Sequence, residues 1–398
     1  MSGSNTSLGT ALRKAVHLPP DHYRRRVAAV QEKIGAAGRD GLLVLNAPNL
    51  MWATGFFHIP NERPLGLYIP AAGAPYFLGP LLEQENAADT WVGDVRCYLE
   101  YPGVVPAEAW MMEQIEGDRV AVDAANHSAF EHMRGRKPQL VLDDTVQRMR
   151  YLKTPEEIEL TRQAAAYADY GLEIARAAVA EGLREGITEL EVVKVVQAQT
   201  IARMQAELQD LVNFYRGAVA LTAHTGPRGA LPHGHSGPHR IEPGHTLIVG
   251  IGVKVGGYHA ESGCTFVVGE PTPDQRRCLE ATWACDEAAL AALRPGNTCQ
   301  DSNDAGWAVL RECGYGDFIR HRIGHGMGVE GHEAPWLSPG DATLLAPTMV
   351  FSNEPGIYRP GIDGYRIIDS MVVTETGGER LSRYLSEHGP DDRVIEIS

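Results

Sequence analysis

Positive charge is scarce in this sequence. Lysine and arginine number 36 against 51 aspartates and glutamates, a formal net charge of −15. A nucleic-acid surface needs a basic patch, so no nucleic-acid partner is expected. No apolar run approaches the length of a membrane span, which excludes an integral membrane protein of the helical kind. The first residues, MSGSNTSLGTALRKAVH, lack the hydrophobic segment of a signal peptide and read as a flexible leader over 1–21. The six cysteines, Cys97, Cys264, Cys278, Cys285, Cys299 and Cys313, form no C-x-x-C pair and no dense disulfide framework. A reduced, cytoplasmic setting is therefore expected. Low-complexity stretches are absent.

What is present suits a globular chain of two domains. Hydrophobic residues make up 43% and charged residues 22% of 398 positions, enough for each half to bury its own core. From residue 22 to 152 helical and strand patterns alternate. A helix is expected over Tyr23 to Ile34, with strands at Gly41 to Leu45, Leu65 to Pro70, Tyr76 to Leu78, Arg119 to Val122 and Gln139 to Leu142. The stretch NAPNLMWATGF reads as a polar loop running into an aromatic turn. This alternation predicts an α/β domain with a mixed sheet. A second domain, 153–398, opens at Thr154-Pro155-Glu156-Glu157, which combines a capping threonine, proline in the first turn and glutamate three residues on. That helix should run to about Gly182. A second capping box at Thr188 to Glu191 starts another, reaching about Leu208. Further helices are expected from about Thr272 to Leu293 and from Cys299 to Glu312.

Between them lie two β-branched runs, Leu247 to Val255 and Tyr258 to Val268, joined at Gly256-Gly257. Adjacent glycines supply the positive φ angles of a two-residue turn, so the stretch reads as a β-hairpin. In that register Gly252 faces Glu261, and Gly250 lies diagonally beside it on the same face. Before the hairpin comes a histidine cluster, His233, His235 and His239. Downstream stand IGHGMGVEGHEAP (323–335), NEPGIY (353–358) and YRIID (365–369).

These phrases, with TGPRGALPHG (225–234), resemble the prolidase, aminopeptidase P, methionine aminopeptidase and creatinase family. The resemblance covers roughly residues 151 to 380 and implies an α/β (α+β) chain. A creatinase-like N-terminal α/β domain would precede a C-terminal domain of the pita-bread fold. Metal-dependent members bridge two ions with two Asp, one His and two Glu. The corresponding positions here are Gly250, Glu261, His325, Glu354 and Ile368. Hydrogen and a sec-butyl group donate nothing to a metal, and two of the four carboxylates are gone.

The reading that follows is of a creatinase-like hydrolase acting without metal and without any cofactor. It would cleave a C–N bond of a small polar amide, amidine or guanidino substrate. Creatinase resembles this chain in keeping the frame while having lost the ligands. The resemblance implies catalytic roles for His233, Glu261, His325 and Glu354, with His233 as proton-transfer residue. Arg63 (beside Pro64), Tyr258, His332 and Arg366 are the substrate-binding candidates, although Arg366 could instead hold Glu354 or a neighbouring carboxylate. A homodimer is also implied. Two departures from creatinase, Ile368 in place of its histidine and Gly263 where its glutamate falls, argue against creatine itself. The alternative is a metal-dependent Xaa-Pro peptidase with a reduced, one-metal site at Glu261, His325 and Glu354, and a non-catalytic binding relative is a third.

Overall fold

The computed structural model describes residues 18–208 and 218–397, so most of the expected leader lies outside the described residues. The chain divides into two units, 18–150 and 151–397 in their described parts. Neither contains a described helix long and apolar enough to cross a membrane.

In the N-terminal unit the first helix, Pro20–Ala36, already includes the last two leader positions. Six strands follow: β1 (Gly41–Val44), β2 (Gly66–Pro70), β3 (Tyr76–Pro80), β4 (Val95–Tyr98), β5 (Val120–Val122) and β6 (Val141–Leu142). They form one mixed sheet in the order β4-β3-β2-β1-β5-β6, with β1 antiparallel to β2 and parallel to β5. One expectation fails here. NAPNLMWATGF is not a loop but contains a helix, Ala47–Thr54. Asn46 caps it by accepting from the Asn49 N–H at 3.0 Å, Pro48 sits in its first turn, and Gly55 ends it at φ 76°. Asn and Pro, read as loop residues, serve as helix punctuation. Residues 49–54 are all buried, so no polar face marks the helical period.

The C-terminal unit is built on an eight-stranded sheet whose main path runs β10-β11-β14-β9-β8-β7. The six strands of that path are β7 (Val219–Thr225), β8 (Thr246–Val255), β9 (Tyr258–Val268), β10 (Gly324–Gly326), β11 (Val350–Asn353) and β14 (Ile368–Val373), and two short strands, Gly378–Arg380 and Val394–Ile395, pair off it with β14 and β9. A separate ribbon pairs β12 (Gly356–Arg359) with β13 (Asp363–Arg366). β8 and β9 form the expected hairpin, with Gly256 at φ 56° and Gly257 at φ 85° in its turn, and Gly252 pairs with Glu261.

The helices Pro155–Gly182 and Glu189–Glu207 each begin with a complete capping box. The first lies across one face of the hairpin. Ser262 donates to Asp169 at 2.6 Å, the Tyr258 hydroxyl donates to Glu157 at 2.6 Å, and Ile251 packs under Gly171. Farther along the same face the helix Pro273–Ala292 meets β11 through Asn353, which donates to Asp286 at 2.6 Å. Successive strand residues alternate faces, so the residues between these anchors point the other way. Gly250, Gly252, Glu261 and Gly263 belong to that second face.

Candidate functional site

The second face is organised as two neighbouring rows across the sheet. In one row His325 of β10 pairs with Ser352 of β11, which pairs with Ser370 of β14. The Ser370 hydroxyl then bonds both backbone groups of Glu261, at 2.8 and 2.7 Å, and Glu261 faces Gly252. In the other row Ile368 of β14 pairs with Gly263, Gly263 with Gly250, and Gly250 with Thr222 of β7. Glu354, one residue beyond β11, continues this second row. The family's five ligand positions are thus assembled on one face. The two that have lost their donors, 250 and 368, sit together in a single row.

Around the three that remain the geometry converges. His325 Nε2 is 3.9 Å from Glu261 Oε2 and 3.8 Å from Glu354 Oε1, and it is buried with no hydrogen-bond partner. His325 Nδ1 lies 3.1 Å from Gly326 O, which directs Nε2 at the carboxylates. The Ser352 hydroxyl donates to Glu261 Oε2 at 2.9 Å. His332, on the loop after β10, stacks its ring on His325 at 3.7 Å and 18°. One ligand atom each from Glu261, His325 and His332 fits within 4.8 Å. The loop is anchored by a buried ion pair, Lys153 Nζ to Glu333 Oε1 at 2.9 Å.

Charge in this enclosure is strongly correlated. Burial, and then the charge of Glu354, pushes the Glu261 carboxyl up to about 7. Burial also works against the Glu354 anion, but the nearby His325 and Arg366 outweigh it and hold that carboxyl below its usual range. His325 is raised, because the two carboxylates overcome the effect of burial. Burial and the His325 charge push His332 down to about 4, so its ring is neutral at pH 7. Two carboxylates face a buried imidazole nitrogen that has no hydrogen-bond partner, a donor set that suits a cation.

The residues do not fit a pair of ions. A Cβ on Gly250 would stand 2.7 Å from Ile368 Cδ1, and one on Gly263 2.9 Å from the same methyl. The isoleucine fills the space of the missing carboxylates. A single ion does fit, with Glu261, His325 and His332 as the donors that converge and Glu354 beside them, 3.8 Å from His325 Nε2.

The other candidates separate. Tyr258 is a correction: it is 3% exposed and its hydroxyl is bonded to Glu157 on the helix-covered face, so it is a core residue that cannot line the site. Cys264 lies on that same face. His233 is exposed on the loop before the hairpin, near enough for its charge to act on His321 and His332. Arg366 is 7% exposed, and its Nη1 donates to Pro232 O at 3.0 Å. Among the described residues no carboxylate comes within 4.0 Å of it, so it does not hold Glu354 directly. Arg63 belongs to the N-terminal unit, where Glu62 and, at 3.9 Å, Glu100 meet its charge. The motifs did not single out Ser352, Ser370, His321 or Tyr358. The last two share a 2.8 Å hydrogen bond close to Arg366 and Glu354. Strand spacing could have found the serines, since Ser352 and Ser370 are two residues from Glu354 and Ile368.

Comparison with known proteins accords with this geometry. Residues 159–375 match Metallopeptidase family M24, and residues 26–151 match the Creatinase/Prolidase N-terminal domain. The putative dipeptidase YkvY of Bacillus subtilis (strain 168) is 30% identical over 382 residues, covering 93% of this chain and 99% of that protein. A Xaa-Pro dipeptidase of Lactobacillus delbrueckii subsp. lactis is 32% identical over 356 residues, covering 85% and 92%. The crystal structure of dipeptidase PepE from Mycobacterium ulcerans superposes with a TM-score of 0.83 at 28% identity, covering 96% of this chain and all of the other. The expectation of a metal-independent, creatinase-like reaction is overturned by these findings. The match is to a metallopeptidase family, the relatives are dipeptidases, and the pocket keeps the donors for one ion.

Proposed function

The chain belongs to metallopeptidase family M24 and is a hydrolase of C–N bonds, and on that premise we propose that it is a metal-dependent dipeptidase of the Xaa-Pro type working with one metal ion. The observation that carries this reading is the buried, unpartnered His325 Nε2 between the Glu261 and Glu354 carboxylates. Bound there, a divalent ion would polarise the scissile carbonyl and acidify a water molecule.

The chain's own residues supply the rest. The Ser352 hydroxyl fixes one oxygen of Glu261. Gly326 O fixes the His325 ring, an outer contact of the kind that orients ligands. His332, neutral at pH 7 and exposed, offers a ring nitrogen at the open side of the site. His233, exposed on the loop before the hairpin, is the second histidine able to pass a proton to the leaving nitrogen.

Incubation of the metal-loaded protein with alanyl-proline should release proline, and prior chelation should stop it. Undiminished release after complete chelation would sink the reading. We assign the chain to the cytoplasm on the support of its six unpaired thiols. A homodimer is supported by aliphatic side chains exposed in the N-terminal unit, Leu82, Leu99 and Val104.

A further inference from the structure

The half of the pocket that lost its carboxylates still holds a charge. Arg366, at the end of β13, sends its guanidinium toward the place where a side chain on Gly250 would be. A Cβ built there would lie 3.4 Å from Arg366 Nη2, 3.3 Å from Thr222 Oγ1 and 2.7 Å from Ile368 Cδ1. The arginine is held from two sides. Its backbone N–H donates to Thr265 Oγ1 at 2.8 Å, and Nη1 donates to Pro232 O at 3.0 Å. The Tyr358 hydroxyl lies beside it. Nε is buried with no partner, and no carboxylate among the described residues approaches within 4.0 Å.

A buried guanidinium without a counter-anion is costly, and arginine does not shed its proton to relieve the cost. Glu261 and Glu354 lie in the same enclosure. Their charges act on Arg366 only at longer range, and a divalent ion held between them would balance both and leave Arg366 without a compensating anion. An aspartate at 250 would have answered it, and glycine does not. The geometry points to Arg366 as the receptor for a carboxylate of the ligand, seated in the space beside Gly250 and Thr222. Arginine suits this task because its planar fork matches the two carboxylate oxygens. Where a two-ion site would place an anion holding a cation, this chain places a cation that takes up an anion.

This inference rests on the dipeptidase reading for the identity of the ligand, a short peptide with a free C-terminal carboxylate. Its test does not need turnover. Binding would be measured by calorimetry for two pairs of probes, alanyl-proline against alanyl-prolinamide and L-proline against L-prolinamide. In the wild-type protein the acid of each pair should bind about tenfold more tightly than the amide, the scale of one charge-assisted contact. Arg366→Gln should erase that preference and Arg366→Lys should keep part of it.

A second variant guards against a folding defect at Arg366. Gly250→Asp, made with Ile368→Val to remove the Cδ1 methyl, supplies an internal carboxylate, and it should also erase the preference while leaving the arginine in place. An acid-to-amide ratio unchanged in both folded variants would overturn the inference. So would failure of all four probes to bind at millimolar concentration. A preference for the acids in a protein that never cleaves alanyl-proline would leave the inference standing and remove the dipeptidase reading.

Discussion

Ile368 and Gly250 form one unit. They lie in the same cross-strand row, separated by Gly263, and the Ile368 Cδ1 methyl reaches within 2.7 Å of where a Gly250 Cβ would be. The loss of one ligand made the room that the replacement of the other fills. The site that remains has donors for one ion and no open volume for a second.

Metal stoichiometry follows from that pair. Native mass spectrometry of protein loaded with manganese, zinc or cobalt should show one ion per chain. His325→Ala and Glu354→Gln should each lose it. Two ions bound to the unmodified chain would contradict the filled row.

Catalysis should separate the two faces of β9. Glu261→Gln should lower kcat/KM on a dipeptide by roughly 100-fold or more, the rate equivalent of about 3 kcal/mol. Tyr258→Phe should leave both kcat and KM near those of the parent, because its hydroxyl serves Glu157 on the covered face. Its cost should appear in stability instead, at about 1.5–3 kcal/mol for a hydrogen bond to a carboxylate. A large fall in kcat for Tyr258→Phe would place that residue in the site after all.

Behind the site, Arg380 joins three acids: Nε donates to Asp369 at 2.6 Å, Nη1 to Glu287 at 2.8 Å, and Nη2 contacts Asp286. Asp286 and Asp369 are fully buried, and burial pushes both carboxyls up. Arg380→Met should destabilise the chain by about 3–5 kcal/mol, as for a buried pair that loses one partner. The deficit should grow with pH. An acid whose folded pKa is raised loses stability as the unfolded form ionises first. Denaturant titrations at pH 5 and pH 8 showing equal deficits would mean the two acids stay protonated throughout.

In the N-terminal unit the sign is reversed. Hydrogen bonds from the Arg119 side chain and backbone hold the Asp40 carboxyl down at about 2, against an ordinary 3.8. A depressed acid contributes stability that is complete above its unfolded pKa and is lost as pH falls through its folded one. Stability of the wild type should therefore fall between about pH 4 and pH 2 more steeply than that of Asp40→Asn. Parallel curves across that window would show that the contact contributes nothing.

The hairpin was legible because its signals are local. Two glycines fix the turn, strand alternation fixes the faces, and the Gly252–Glu261 pairing follows without any tertiary knowledge. The helix Ala47–Thr54 was not legible, since a helix buried on every side has no period to read. Tyr258 was misplaced despite a signal in hand. It stands three residues from Glu261 on one strand, an odd offset that puts the two side chains on opposite faces. The metal was misjudged for a different reason. Counting lost ligands treats the site as a whole, while the sheet divides it into rows, and the losses fall in one of them.

The filled row also limits how this chain can change. An aspartate introduced at 250 alone meets the isoleucine methyl, and a glutamate at 368 alone removes the packing that closes the gap beside two glycines. Neither single step rebuilds a two-ion centre, since each leaves the other donor missing. The two positions have to change together before a second ion gains its ligands, so for metal content the pair behaves as one heritable character.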